Sequence, residues 1–432
     1  MNRPVARNSI GGFTLVEILV GLTLGLIAIV VMLQVFAVFE SQKRSTTTGS
    51  DAQTTGLLSL YSLEREVRMA GYGLVYNNPI NDTTYQGQIF CNRALYRDSI
   101  TNAARVDVLQ PVLIENAANG NSDRITVTFA SSSFAAAPAV LDVDVPDKTY
   151  PLVIRNAPVN DLGSSAVFQT NDIVMLATPQ AFSTGTPALV QCTLLVITAV
   201  TPGGTNTTLA PQLLTSLGTA LSAAASDDYA ASVTPPSLVA KLGSLTAGQP
   251  AFIRNEYSVV TNELRVRNLT TAGVNPATSI GEGVVDLQAQ YGVVELACAD
   301  AGANLDRCNS VAPKALGAVV PGLPTNSGWT NPTGAWANPA PADATRIKAI
   351  RISVITRSSQ RERDPATNNC LPFDGTTTVP NNTTKCRAWA NDTNAPELPW
   401  TGTADWNDNG RFFRYRTYET VIPLRNMLWG NT

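Results

Sequence analysis

Twenty-two consecutive residues, Ile18 to Phe39, hold only two clearly polar side chains, Thr23 and Gln34. As one helix this run is about 33 Å long at 1.5 Å per residue, enough to cross a bilayer core of about 30 Å. No second apolar run of that length follows, so the sequence predicts a single span. Arg3 and Arg7 lie in the polar segment Met1 to Gly12. By the positive-inside rule they place the N-terminus in the cytoplasm and everything after Phe39 outside. Glu17 sits at the N-terminal edge of the run. A carboxylate there is costly unless it is paired or close to the headgroups, so the residue points either to a function or to an interfacial position.

Composition narrows the chemistry. The 432 residues include no histidine, the one side chain whose ordinary pKa lies near neutrality. That excludes a Ser-His-Asp triad, a Cys-His pair and an imidazole metal site. Charged residues make up only 15% and the formal net charge is -3, which argues against a general nucleic-acid binder. No nucleophile, phosphate loop or carboxylate dyad is identifiable, so an enzyme is not expected.

The string GGFTLVEILVG, Gly11 to Gly21, resembles the type IV prepilin signature: a glycine, an apolar residue, a glutamate four positions later, then a long apolar stretch. The resemblance implies that prepilin peptidase cuts after Gly12 and methylates the new N-terminus at Phe13. It further implies that Glu17 pairs with the α-amino group of a neighbouring subunit during filament assembly. Two buried opposite charges offset each other's desolvation, which neither does alone. A competing reading is a secretory signal cleaved after Val35-Phe36-Ala37, leaving a chain that starts at Val38. The apolar run is longer than such signals, and Glu17 is out of place in one. Gly21 and Gly25 give a GxxxG spacing that permits close helix approach, although glycine is common in membrane helices in any case. Gln34 stands where many major pilins carry a helix-loosening proline.

Beyond the run, Leu57, Leu60, Leu63 and Val67 recur at helical spacing and Glu64 with Arg68 is an i,i+4 pair. The helix is expected to reach Met69, with Gly71 and Gly73 as its stop and Lys43 to Thr55 as its weakest part. Strands are predicted around Ile125 to Phe129, Asp172 to Leu176, Thr193 to Val200, Ile350 to Val354 and Phe412 to Leu424. Val284 to Val294 is another, beginning as a helix. Ala251 to Val260 and Glu263 to Asn268 read as a hairpin about Thr261-Asn262, and Pro423 marks an edge or an end. Segments rich in Thr, Ser, Asn, Ala, Gly and Pro, at Ser131 to Ala139, Thr201 to Gln249 and Val311 to Thr345, read as surface excursions. No internal repeat is evident.

Three later segments, GVVDLQAQYGV (Gly283 to Val293), IKAIRISVITRS (Ile347 to Ser358) and YETVIPLRNMLW (Tyr418 to Trp429), are similar to the PilW group of minor pilins. That similarity implies an α+β, pilin-like fold: a long N-terminal helix, membrane-spanning in its first half, packed on a β-rich head with long loop insertions. The expected organisation is a leader at 1–12, a helix at 13–72 and a head at 73–432. The head is divisible into two subdomains, with an insertion at about 130–250.

The six cysteines, Cys91, Cys192, Cys298, Cys308, Cys370 and Cys386, all follow the span, in an oxidising compartment. Cys298/Cys308 and Cys370/Cys386 are close in sequence, which leaves Cys91 with Cys192, although fifteen pairings exist. Asp405, Asn407 and Asn409, with Gly410, match the first half of an EF-hand loop. Arg416 occupies the position of the required glutamate, so an EF-hand is excluded. A looser calcium loop and a plain Asn-Gly turn both stay open; no other cofactor is expected. Arg411, Arg414 and Arg416 interleave with Phe412, Phe413 and Tyr415. This is either a stacking strip for DNA or an edge guarded by charge; the acidic chain favours the guard, and no specific nucleic acid is expected.

The resemblance therefore implies a minor pilin of a type IV pilus, held in the inner membrane before assembly and extracellular in the filament afterwards. Its implied partners are prepilin peptidase, other major and minor pilins, and a tip adhesin. The alternatives are a J-type minor pseudopilin of a type II secretion system and a membrane-tethered adhesin.

Overall fold

The structure is a computed structural model. It describes residues 14–77, 88–90, 93–97, 104–117, 121–136, 138–145, 150–155, 167–178, 191–215, 222–223, 237–248, 251–270, 276–294, 327–339, 344, 346–361, 389 and 413–428. The chain is α+β. It begins with one helix, α1 (Leu15–Met69), of 55 residues. The strands follow in order: β1 (Val75–Asn77), β2 (Gln88–Phe90), β3 (Arg93–Arg97), β4 (Ala104–Val108), β5 (Val112–Glu115), β6 (Arg124–Ala130), β7 (Ala139–Val140), β8 (Leu152–Arg155), β9 (Asp172–Thr178) and β10 (Gln191–Pro202). Then come β11 (Asn206–Thr215), β12 (Ser222–Ala223), β13 (Leu238–Ser244), β14 (Phe252–Val260), β15 (Glu263–Asn268), β16 (Thr278–Glu282), β17 (Val284–Val294), β18 (Ser327–Thr330), β19 (Ile347–Arg357) and β20 (Tyr415–Pro423). A last short helix, α2 (Arg425–Leu428), closes the described chain.

α1 is continuous through its polar middle. There Thr46, Thr47 and Thr54 donate their hydroxyls to the carbonyls of Gln42, Lys43 and Ser50 at 2.9, 2.9 and 3.0 Å, a back-bonding that satisfies the hydroxyls on the helix itself but slightly weakens it. The helix stops where Gly71 and Gly73 take φ of 78° and 76°, a region open to glycine at little cost.

The second half of α1 lies against two sheets. One is four-stranded and antiparallel, ordered β18-β17-β19-β20; the other is five-stranded, ordered β16-β15-β14-β6-β5. Leu60, Leu63, Val67 and Ala70 share one core with Ile125 and Val127 of β6, Leu287 and Tyr291 of β17, and Ile350 and Ile352 of β19. Leu57 was expected on this face but is 58% exposed. The buried positions nearest to it are Gly56 and Ser59. The contact face therefore starts with small residues, which bring the backbones close. A side chain at Gly56 would place its Cβ 2.3 Å from the Tyr418 ring.

β14 and β15 form the expected hairpin, and Thr261 and Asn262 both take positive φ, 52° and 60°. That pair of left-handed residues is what a two-residue type I′ turn requires. Pro423 ends β20 at the sheet edge. β17 is strand from its first residue, not the helix start expected at Val284, because it pairs with β19 along its length. Its residues are buried on both faces, which removes the alternation that identifies a strand.

The remaining large sheet has nine strands, with β12-β11-β3-β10-β9-β13-β7 as its main path, β4 on β3 and β8 on β11. It has apolar clusters on both faces, one around Met175, Leu194 and Leu242, the other around Leu176, Leu195 and Leu209. Here the expectation of a surface excursion over Thr201 to Gln249 fails. β11 and β13 are integral strands, and Leu238, Val239, Ala240 and Leu242 are buried. Their small and hydroxyl-bearing residues dilute the periodic signal without preventing sheet pairing.

Leu63 is fully buried, whereas Leu57 on the same helix is 58% exposed. Leu63→Ala is expected to destabilise the head by about 2–5 kcal/mol, and Leu57→Ala by less than about 0.5 kcal/mol. Chemical denaturation of the detergent-solubilised full chain followed by near-ultraviolet circular dichroism checks both.

Candidate assembly site

Thr14 caps α1. Its hydroxyl accepts from the Glu17 backbone N–H at 3.3 Å, and Glu17 Oε2 accepts from the Thr14 N–H at 3.5 Å. This is a capping box that satisfies backbone donors which otherwise lack partners. Its contacts are at the long end for hydrogen bonds, so the Glu17 carboxylate keeps capacity for a stronger donor. Sequence reasoning assigned Glu17 to a partner and missed its local cap, although T-x-x-E is a readable signature. Gly12 and Phe13 lie outside the described residues.

After the cap, Leu15–Glu40 is a helical segment long and apolar enough to cross a membrane, and none of its most apolar window is buried in the head. Gly21 and Gly25 fall one turn apart on it, and a Cβ at either would meet nothing within 4 Å. The surface beside them is open.

The other end of α1 is fastened. Asn426 of α2 donates through Nδ2 to the carbonyls of Met69 and Ala70 at 3.2 and 3.0 Å. It thus supplies a partner for carbonyls that a helix C-terminus leaves open. Lys348 on β19 donates to the Met427 carbonyl, and burial lowers its pKa to about 8. Asn255 Nδ2 donates to Glu66 Oε2 at 2.9 Å. The Glu64–Arg68 pair forms as the sequence predicts. Asn426 and Asn255 are distant in sequence from the helix residues they hold, so no local pattern reveals them.

A pair of buried acids also escaped the sequence. Asp123 accepts from the N–H groups of Ala289 and Ala117 at 2.9 and 3.2 Å. Asp286 accepts from Ser122 and Gln288 at 2.8 and 3.1 Å through Oδ1. Its Oδ2 has no hydrogen-bond partner among the described residues. Burial pushes Asp123 up to about 7, helped by the nearby Asp286 charge, and pushes Asp286 up to about 6. The two tie the segment before β6 to β17, well away from Glu17 in the fold.

Cys192, in β10, is buried and disulfide-bonded. The parallel register sets it beside Ala94 of β3, three residues after Cys91 in the sequence. Cys91, Cys298, Cys308, Cys370 and Cys386 lie outside the described residues, as do Asp405, Asn407 and Asn409. Among the described residues no three metal-ligating side chains cluster. Of the arginine–aromatic strip, Tyr415 is buried and Phe413 lies under the Arg357 guanidinium at 4.6 Å. Those two rings are therefore unavailable for base stacking.

The model of the type IV pilus-assembly protein W family, PilW, matches residues 244–426. The match runs from the end of β13 to α2 and takes in the whole four-stranded sheet that holds α1. It supports a PilW-like chain with a role in type IV pilus assembly. Searches of curated proteins and of solved structures found no match.

The buried acids set a pH dependence. Both are raised above the ordinary 3.8 in the folded chain, so the native state holds protons that the unfolded chain releases. Their contribution is fullest below about pH 4 and is lost as pH rises through about 6 and 7. The melting temperature should therefore fall between about pH 5 and 7.5, and Asp286→Asn should flatten that slope; differential scanning calorimetry across this window reads it.

Proposed function

We propose that this chain is a minor pilin of a type IV pilus. Prepilin peptidase cleaves it after Gly12 and methylates Phe13; the inner membrane holds it by α1 until it joins the filament with its head outward. The observation that carries this reading is the division of α1. Its first half is an uncovered apolar helix headed by Glu17, and its second half is fixed to a head whose sheet matches PilW.

Each part then has a task. In the filament, Glu17 exchanges its loose hydrogen bonds to Thr14 for the α-amino group at Phe13 of a neighbouring subunit, which sets the subunit register. Gly21 and Gly25 give neighbouring helices a smooth face for close approach. Asn426 and Lys348 keep the head at a fixed angle to α1, so that the register set at Glu17 is transmitted to the surface. Initiating assembly with other minor pilins, near the tip and beside an adhesin, follows from the same reading. Cys91–Cys192, Cys298–Cys308 and Cys370–Cys386 are the proposed disulfides. The PilW match favours the pilus over a secretion pseudopilin.

In the producing cell, Glu17→Ala should leave the chain inserted in the membrane but reduce its amount in sheared filaments about tenfold or more. Immunoblots of membrane and filament fractions, with mass spectrometry of the N-terminal peptide for a methylated Phe13, check this. Equal incorporation of the variant, or a mature chain beginning at Val38, would contradict the reading.

A further inference from the structure

The head carries a second feature that filament assembly does not use. A cleft of about 300 Å³ opens where the serine run after β6 meets the end of β13 and the turn before β9. This volume is at the small end of ligand pockets. We propose that it binds an uncharged carbohydrate.

The charges in the cleft cancel. Lys241 Nζ lies 2.7 Å from Asp172 Oδ2, and both side chains are largely withdrawn from solvent. Lys241 also donates to the Val167 carbonyl at 2.9 Å, and Asp172 accepts from the Gln169 N–H at 2.6 Å. Each ion is therefore already satisfied, and none of the other lining residues is ionisable. An anionic or cationic ligand would find no counter-charge to replace the water it loses.

What the lining does offer is neutral and two-sided. The hydroxyls of Ser133 and Thr246 and the amide of Gln169 both donate and accept, as sugar hydroxyls do, whereas those of Ser131 and Ser244 are turned to the Ala251 and Asn171 carbonyls and brace the wall. Phe134 stands at the rim, 38% exposed, and gives an apolar ring face for the C–H side of a pyranose. Polar groups around one exposed ring are what a polyhydroxylated ring needs; a purely apolar ligand would strand those groups and a salt would ignore the ring.

The serine run is also fixed in place before any ligand arrives. The N–H groups of Ser131 and Ser132 both donate to the Leu242 carbonyl, at 2.9 and 3.2 Å. Tyr72 donates its hydroxyl to the Ser133 carbonyl at 2.9 Å, and the Phe134 N–H donates to Ser132 Oγ at 3.2 Å. A bulge shifts the β13 register between Lys241 and Gly243, a device that re-aims side chains beside sites. Such preorganisation lowers the entropic cost of binding. The serine run, Phe134, Gln169, Asp172 and Lys241 all precede the residues that match PilW, and only Ser244 and Thr246 of the lining fall at the start of that match.

The test uses the full chain in a detergent without a sugar headgroup, applied to an array of neutral, sialylated and sulfated oligosaccharides. The strongest neutral hit is then titrated by calorimetry. Neutral glycans should bind, and their sialylated or sulfated counterparts no more tightly. Phe134→Ala and Gln169→Ala should each weaken binding about tenfold with the melting temperature unchanged, while Phe134→Tyr retains it. Absence of any neutral-glycan binding, preference for anionic glycans, or binding unchanged in both alanine variants would overturn the proposal. None of these outcomes depends on incorporation into a filament.

Discussion

The uncovered first half of α1 is the constraint on which the rest of the molecule turns. Eighteen large apolar side chains between Leu15 and Phe39 are exposed, each by 45% or more. Leaving them in water costs on the order of 20 kcal/mol at ordinary burial values, more than the roughly 5–15 kcal/mol that holds a domain folded. The head cannot absorb that cost, because it covers α1 only from Ala52 onward. Lipid, or the same segment of other subunits, has to cover the rest, and the proposed life of the chain is a transfer from the first cover to the second.

The cover formed within the molecule is correspondingly firm. Leu63, Val67 and Ala70 are fully buried. Asn426 closes the C-terminal carbonyls of α1, and a side chain at Gly56 would collide with Tyr418. The contact is therefore a close one along its length. The nine-stranded sheet has its own two apolar clusters and contributes little to this grip. It is free to carry other chemistry, and the neutral cleft beside β13 lies on it.

The sequence made parts of this legible in proportion to how local the physics is. The apolar run, the Glu64–Arg68 pair, the glycine stop and the Thr261-Asn262 hairpin depend on residues a few positions apart. All of these are in the structure. Sheet contributions at β11 and β13 were hidden, because threonine, alanine and glycine pair well between other strands without producing an alternating pattern. β17 hid its start for the opposite reason, being buried on both faces. Glu17 was readable as a candidate from its place in the apolar run, whereas Asn426 was not, since 356 residues separate it from Ala70. Asp123 and Asp286 were hidden in the same way: Ser122, beside the first, meets the second across 164 residues. Each is an unremarkable aspartate until the fold takes water away from it.

The central claim is that Glu17 of one subunit meets the amino terminus of another. Zero-length carbodiimide coupling of purified filaments tests it most directly, because it joins only a carboxylate and an amine that already touch. The account predicts an inter-subunit amide between the Glu17 carboxyl and the α-amino group at residue 13 of an adjacent pilin, found by mass spectrometry and lost in Glu17→Gln. Filaments that contain the chain but yield no such adduct at Glu17 would contradict it.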